Sequence, residues 1–112
     1  MKIDLNGVST PCYICDEAAL ERNLKILDSV QKRSGCKIML ALKGFAMFSM
    51  FPLIRKYLKG TAVSSLDEAR LGFEEFGGEV HAYSPAFKHS EIESILSYAD
   101  FLSFNSFSQW RQ

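Results

Sequence analysis

The 112 residues are 47% hydrophobic and 12% aromatic, which is enough for one small domain or for part of a larger one. Thirteen basic residues balance thirteen acidic ones, and neither sign gathers into a run. Composition and charge therefore argue against a nucleic-acid or anionic-membrane surface and favour a small-molecule or protein partner.

The amino-terminal stretch "MKIDLNGVSTPC" has no hydrophobic signal core. No apolar run reaches the roughly 18 residues that a membrane-spanning helix requires. From these two features we expect a cytoplasmic protein with no membrane partner.

Two helices are predicted in the first half of the chain. The first covers residues 16 to 34, where apolar side chains recur near helical spacing. Asp16 is its expected N-cap and Gly35 its expected stop. The second covers residues 48 to 59, although Pro52 falls in its first turns.

Two further helices are predicted from the pattern Ser-x-x-Glu, in which the serine hydroxyl caps the helix and the glutamate reaches back to it. One begins with Ser65 and Glu68 and closes on the glycine pair 77–78. The other begins with Ser90 and Glu93.

Short apolar runs between the helices predict four strands. They cover residues 37–42, 61–64, 79–83 and 100–104. Strands that recur about every twenty residues with a helix between each pair are typical of right-handed βαβ units and a parallel sheet. No strand is followed by a glycine-rich phosphate motif, which leaves a (β/α) barrel or a flavodoxin-like sheet. Because a closed eight-stranded barrel needs about 250 residues, this chain is less than half of one on the barrel reading.

The three cysteines point away from a disulfide framework because their count is odd and no secretory signal precedes them. Cys12 and Cys15 have C-x-x-C spacing, but the Tyr-Ile pair between them favours extended backbone over a redox turn. We expect free structural thiols and no metal, since neither His81 nor His89 stands at zinc-ligand spacing. A thiol-redox module is the alternative.

Lys43 is the candidate reactive residue. It follows the apolar run "IMLAL" and so lies at the carboxyl end of a predicted parallel strand, where barrels carry their chemistry. A solvated strand end is the plain interpretation of such a lysine. The functional one is an amine that apolar neighbours keep partly desolvated so that it can react with a carbonyl.

Several short sequence motifs resemble those of one family, in the same order and with similar spacing, over nearly the whole chain. They are "STPCYICD", "LALKGFA", "GTAVSSLDEARLG", "VHAYSPAFK" and "FNSFSQW". The family is that of the fold-type III pyridoxal-phosphate decarboxylases, which include ornithine and diaminopimelate decarboxylases. Within it, the resemblance is closest to the carboxynorspermidine (carboxyspermidine) decarboxylases.

The resemblance implies an α/β fold in which residues 1–112 are the N-terminal portion of an alanine-racemase-like (β/α)8 TIM barrel, with a C-terminal β-domain outside this chain. It implies a carboxy-lyase of polyamine biosynthesis that converts carboxynorspermidine or carboxyspermidine to norspermidine or spermidine. It also implies a homodimer. An ornithine- or diaminopimelate-type decarboxylase, or a non-catalytic pyridoxal-phosphate carrier barrel, is the alternative.

Three residues match positions of the family's cofactor site. Lys43 would hold pyridoxal 5'-phosphate covalently. Ala62 stands where ornithine and diaminopimelate enzymes carry an aspartate, and Gly44 and Phe45 replace the small residue and asparagine that follow their lysine. Glu68 matches a glutamate near the lysine, although membership of a capping box explains it as well.

Overall fold

The computed structural model describes residue 4 and residues 6–111. Its helices are α1 (Glu17–Ser34), α2 (Phe51–Ile54), α3 (Leu66–Leu71), α4 (Ile92–Leu96) and α5 (Phe107–Trp110). Its strands are β1 (Met39–Ala41), β2 (Gly60–Val63), β3 (Glu79–Tyr83) and β4 (Phe101–Ser103). The 3-10 turns Phe48–Met50 and His89–Glu91 precede α2 and α4, and the π-helical turn Gly72–Phe76 extends α3.

Helix α1 begins and ends where the sequence predicts. The side chain of Asp16 accepts from the amide of Ala19 at 2.9 Å, as an N-cap does. Gly35 adopts the left-handed conformation at φ 74°, and its N–H donates to the carbonyl oxygen of Gln31 at 2.8 Å. A glycine at this position avoids the steric cost that a side chain would carry there.

The helix predicted over residues 48–59 is wrong in its extent. The chain forms a 3-10 turn and then the four-residue helix α2, with Pro52 in its first turn. Proline has no N–H to donate to the carbonyl of Phe48, so the hydrogen bond that would join residues 48–50 to the α-helix is missing. After Ile54 the backbone continues in tight turns that carry it to β2.

The two Ser-x-x-Glu predictions have different outcomes. Ser65 caps α3, since its hydroxyl accepts from the amide of Glu68 at 3.2 Å. The cap predicted at Ser90 is wrong: the backbone becomes helical directly after Lys88, whose φ and ψ are extended, and α4 has no side-chain cap. Ser90 therefore lies inside the first turn instead of before it.

The sheet is parallel throughout, and its spatial order β1-β2-β3-β4 follows the chain. One face packs on the helices. Its strand residues Val63, Val80 and Ala82 are buried in a core with helical side chains that include Phe51, Ile54, Ala69, Phe76 and Ile95. The side chains at the alternating positions form the opposite face, called here the uncovered face. On it, Tyr83 and Phe101 are 50% and 53% exposed.

This arrangement decides between the two folds that the sequence left open. A flavodoxin-like sheet reverses its strand order at a switch point and carries helices on both faces. Sequential order with helices on one face only is instead that of a barrel wall. The predicted α/β class is confirmed, while closure into eight strands and the assignment of residues 1–112 to one barrel domain stay predictions.

Candidate functional site

Lys43 and Ser64 follow the carboxyl ends of the neighbouring strands β1 and β2. The last paired residues of the two strands are Ala41 and Ala62, and the amide of Leu42 still donates to the carbonyl of Ala62 at 3.1 Å. Two residues beyond these paired positions, Lys43 lies in a turn and Ser64 in a bend.

The backbone around Lys43 is held by a tight turn. The amides of Gly44 and Phe45 both donate to the carbonyl oxygen of Ala41, at 3.0 and 3.1 Å. Leu42 is 3% exposed and anchors the turn in the core. Lys43 thus projects from a fixed base, as a residue that must meet a cofactor in one geometry requires.

The sequence predicts that neighbouring apolar residues desolvate the amine of Lys43, and the structure does not show this. Lys43 is exposed, and so are Ala46 and Phe48 in the segment that follows. The apolar residues of "IMLAL" that are buried, chiefly Leu42, face the helices instead of the amine. Among the residues that the structure describes, none makes an ion pair with Lys43.

Ala62 lies on the uncovered face of the sheet, near the carboxyl end of β2. It pairs with Ala41 on one side and with His81 on the other. Its methyl group is half-buried and offers no hydrogen bond. Any contact that position 62 makes with a bound molecule through its side chain is therefore one of shape alone.

Glu68 is bound to Ser64, a residue that the sequence reading did not single out. Oε2 of Glu68 accepts from the amide of Ser64 at 2.7 Å and from its hydroxyl at 2.9 Å. In a capping box the glutamate would reach the amide of the cap residue itself, Ser65. The carboxylate instead reaches one residue further back, to the end of β2. The sequence signal that could have indicated this contact is the pair of adjacent serines, either of which Glu68 could reach.

Tyr83, the last residue of β3, and the nearby Ser84 and Phe87 make different contacts. The hydroxyl of Tyr83 donates to Oδ1 of Asn105 at 3.4 Å across the carboxyl ends of β3 and β4. Ser84 donates to the carbonyl of Ala86 at 3.0 Å within a turn, and Phe87 packs against the core. Of these three residues, Tyr83 is the one whose side chain bonds across the carboxyl ends of two strands.

A cleft of ≈ 460 Å³ borders the segment that follows Lys43. Its lining consists of Tyr13, Gly44, Phe45, Ala46, Met47, Phe48 and Ser49. A second cleft, of ≈ 560 Å³, is lined by residues that follow β4, such as Phe104 and Trp110. The first of these is continuous in sequence with the candidate lysine, and the second lies at the opposite edge of the sheet.

A polar group occupies the other end of the uncovered face, near the amino ends of the strands. The ammonium of Lys37 contacts Oε1 of Glu79, and Nε2 of His81 lies 3.1 Å from Oε2. The hydrogen bond from Lys37 and then that from His81 hold the pKa of Glu79 below its ordinary value. The imidazole also stacks on Phe101, with centroids 4.4 Å apart. These contacts are those of a structural histidine.

The three cysteines are not joined in disulfides. Cys12, Cys15 and Cys36 are free, and the first two lie in irregular backbone before α1. Across residues 6–111, no three His, Cys, Asp or Glu side chains are grouped so as to hold a metal ion. No helix in that same range combines the length and the apolar character needed to cross a membrane.

Comparison with known proteins finds relatives that share one name. A carboxynorspermidine/carboxyspermidine decarboxylase of Herminiimonas arsenicoxydans is 50% identical over 105 residues, which are 94% of this chain and 29% of the relative. A protein of the same name from Campylobacter jejuni is 43% identical over 94% of this chain and 28% of its own length. By sequence, this chain is similar to the carboxynorspermidine/carboxyspermidine decarboxylases.

Two further comparisons extend that result. A crystal structure of carboxynorspermidine decarboxylase from Campylobacter jejuni, complexed with norspermidine, superimposes with a TM-score of 0.88 over 93% of this chain and 28% of that one. A carboxyaminopropylagmatine decarboxylase of Synechocystis sp. is 43% identical over 96% of this chain and 28% of its own length. No family model matches the chain.

The predicted resemblance to the carboxynorspermidine/carboxyspermidine decarboxylases is thereby confirmed. All of these homologues are decarboxylases named for polyamine substrates. The chain spans less than a third of the length of these relatives. It corresponds to the N-terminal part of the solved decarboxylase.

Proposed function

We propose that the full-length protein is a pyridoxal-phosphate-dependent carboxy-lyase that converts carboxynorspermidine or carboxyspermidine to norspermidine or spermidine. The observation that carries this proposal is the 50% identity to a carboxynorspermidine/carboxyspermidine decarboxylase over 94% of the chain. The likeness to a decarboxylase crystallised with norspermidine supports the same substrate class.

Lys43 is the proposed anchor of the cofactor. The fit rests on its chemistry and position: it is an exposed primary amine on a hydrogen-bonded turn directly after the carboxyl end of a parallel strand, the end at which barrels carry their chemistry. An amine in this position is able to bind a carbonyl covalently. Pyridoxal phosphate, when bound, supplies a pyridinium ring that accepts the electron pair left by departing carbon dioxide.

Ala62 and Glu68 complete the part of the cofactor site that this chain would contribute. The small side chain of Ala62 leaves space beside Lys43 on the uncovered face. Glu68 supplies a carboxylate whose Oε2 is bound to Ser64 at the adjacent strand end. We propose that both line the cofactor, Ala62 by shape and Glu68 by charge.

The remaining parts of the proposal concern the whole protein. We infer that the strands described here are the first of an eight-stranded barrel, that a C-terminal β-domain completes the enzyme, and that it works as a cytoplasmic homodimer. The sequential strand order and the uncovered sheet face support the barrel. The length of the relatives, more than three times the matched stretch, supports the additional domain.

The relative from Synechocystis supports carboxyaminopropylagmatine as a second candidate substrate. Its agmatine portion ends in a guanidinium, which is planar and forms paired hydrogen bonds, whereas the polyamines end in an ammonium. The two tails need different partners, so one enzyme is expected to prefer one of them.

Steady-state decarboxylation by the full-length protein tests the proposal. We expect carboxynorspermidine or carboxyspermidine to have the largest kcat/KM among these two, carboxyaminopropylagmatine, ornithine and diaminopimelate. A larger value for carboxyaminopropylagmatine would move the assignment to the second candidate. A larger value for ornithine or diaminopimelate would refute the assignment to the carboxynorspermidine/carboxyspermidine decarboxylases. If the protein binds the cofactor but turns over none of the five substrates, a non-catalytic carrier barrel would be indicated.

A further inference from the structure

We propose that Tyr83 and Asn105 bind an ammonium group of the substrate's polyamine chain, which makes Tyr83 a specificity-determining residue. The inference rests on the proposed function in one respect, namely that the substrate carries such a chain. It assigns a substrate contact to two residues outside the candidate cofactor site of Lys43, Ala62 and Glu68.

Tyr83 lies on the uncovered face at the carboxyl end of β3. It is the last residue of that strand and pairs with Ser103 of β4. Two positions earlier on β3, His81 stacks on Phe101, so this row of side chains points to the same side of the sheet. In a barrel this side is turned inwards, and substrates bind at its carboxyl end.

The width of the sheet brings Tyr83 within reach of a molecule held at Lys43. Ala41, Ala62 and His81 pair in one row across β1, β2 and β3. Two inter-strand spacings of about 4.8 Å put β3 about 10 Å from β1. Because the turn that carries Lys43 follows β1 directly, an extended chain of the length of norspermidine crosses this distance.

The ring of Tyr83 is available to a ligand. Its side chain is 50% exposed, whereas the preceding residue, Ala82, is buried against the helices. The face of an aromatic ring is the negative side of its quadrupole and attracts a cation. The exposed ring therefore suits an ammonium group or the methylene groups next to one.

The hydroxyl of Tyr83 and the side-chain carbonyl of Asn105 form a pair of acceptors. The hydroxyl donates its proton to Oδ1 of Asn105 at 3.4 Å. The phenol oxygen keeps its lone pairs after this donation, and Oδ1 keeps a second lone pair of its own. An ammonium group carries three N–H donors, so it can donate to both oxygen atoms.

Asn105 is held in place by the turn before α5. Its amide donates to Oε1 of Gln109 at 2.6 Å, and the amide of Gln109 donates to the hydroxyl of Ser106 at 3.2 Å. The turn after β2 is built in the same way, since the amide of Ser64 donates to Glu68. A fixed backbone reduces the conformational entropy that binding of a ligand would otherwise cost.

The carboxylates of the same two strand segments have other partners. Glu79, at the start of β3, contacts Lys37 and lies 3.1 Å from Nε2 of His81. Oδ2 of Asp100, just before β4, accepts from the amide of Val80 at 2.8 Å. Among the described residues of these segments, recognition of a cation therefore depends on neutral acceptors and on the aromatic ring.

Calorimetric titration with norspermidine tests the inference on full-length protein that has been incubated with pyridoxal phosphate and dialysed. Tyr83→Phe keeps the ring, and we expect its Kd to rise about tenfold because a hydrogen bond to a charged group is lost. Tyr83→Leu also removes the ring and should raise Kd about thirtyfold. Phe73→Leu removes a ring of similar exposure, 54%, from the turn after α3 and should leave Kd unchanged.

Asn105→Asp separates ammonium binding from a structural role. This change keeps the shape of the side chain and adds a negative charge beside the proposed ammonium, so Kd should fall about three- to tenfold. Damage to the fold would weaken binding instead. An unchanged Kd in Tyr83→Phe or Tyr83→Leu, a rise in Phe73→Leu as large as that in Tyr83→Leu, or a Kd in Asn105→Asp that is not below the parent value would overturn the inference.

The proposed function is tested separately, by borohydride trapping of pyridoxal phosphate at Lys43 of the parent protein. Trapping together with norspermidine binding that does not depend on Tyr83 would refute the inference alone. Trapping without any binding of norspermidine would refute both the inference and the polyamine substrate. Failure of trapping, with binding of norspermidine that does depend on Tyr83, would refute the cofactor assignment and support the inference.

Discussion

The side-chain amide of Gln31 donates to the carbonyl oxygen of Tyr57 at 2.8 Å, across 26 positions of sequence. Its Oε1 accepts from the amide of Ile38 at 2.8 Å. Gln31 is only 8% exposed, so one polar side chain satisfies two backbone groups where α1, the end of the α2 segment and the start of β1 meet. Strand β1, which precedes the turn that carries Lys43, is thereby tied to the helical layer.

Replacing Gln31 by Leu should loosen β1. Both backbone partners would lose their hydrogen bonds in a partly buried place, at a cost of about 1–3 kcal/mol. Amide hydrogen exchange of the full-length protein measures this as faster exchange over residues 36–41. Lys32→Ala, a change at an exposed neighbouring position, is the matched control and should leave that exchange as it is. Unaltered protection in Gln31→Leu would contradict the role assigned to it.

Glu79 should make the stability depend on acidic pH. Its pKa in the folded protein is held down by Lys37 and, to a smaller extent, by His81. A carboxyl group with a lowered folded-state pKa contributes stability above its unfolded pKa, about 4.3, and that contribution is lost as the pH falls through the folded-state value. The midpoint of urea unfolding should therefore fall less between about pH 6 and pH 3 in Glu79→Gln than in the parent.

Glu75 provides the control for this prediction. It is an exposed glutamate in the same part of the chain, and Glu75→Gln should leave the acid dependence of the parent unchanged. Identical acid dependence in the parent and Glu79→Gln would show that the Lys37–Glu79–His81 group adds no pH-dependent stability.

Gly72 should not tolerate alanine. A Cβ at this position would lie 2.4 Å from Oγ1 of Thr61, which is completely buried on β2. The helical turn would have to move off the strand, at a cost of about 1–3 kcal/mol. Amide exchange over β2 should accelerate accordingly in Gly72→Ala.

Thr61→Ala tests the cause of that effect. It removes the atom in conflict, and the remaining Cβ of residue 61 lies 3.4 Å from the added methyl group. The double variant should therefore be more stable than the sum of the two single changes predicts. Strict additivity would place the strain of Gly72→Ala elsewhere.

Local signals in the sequence were sufficient for much of the fold. Asp16 and Gly35 define α1 because an N-cap side chain and a left-handed glycine act within one turn of the chain. The four strands were found by their apolar runs, each within two residues of its observed ends. Short motifs such as "LALKGFA" were sufficient to identify the resemblance to the carboxynorspermidine/carboxyspermidine decarboxylases.

What was missed depends on contacts between distant residues or on alternative local geometries. Gln31 looks like a surface residue of an amphipathic helix, and only the folded chain shows that Tyr57 and Ile38 meet it. The same short pattern caps a helix at Ser65 but not at Ser90, because the backbone before Ser90 has already turned helical. The short helix α5 was not predicted.

The candidate site was predictable only in part. The strand-end position of Lys43 follows from the alternation of elements, whereas its exposure depends on how much of the sheet is covered. The hydrogen bonds that Ser64 donates to Glu68 could not be read from spacing, since a capping box predicts the same glutamate with a different partner.

Borohydride reduction of the full-length protein with pyridoxal phosphate bound is the most direct test of the central claim, which is that Lys43 holds the cofactor. After digestion, we expect the cofactor-derived mass on the peptide that contains Lys43, its loss in Lys43→Ala, and its retention in the control Lys37→Ala. Label on a different lysine, or no label on a protein that binds the cofactor, would contradict the account.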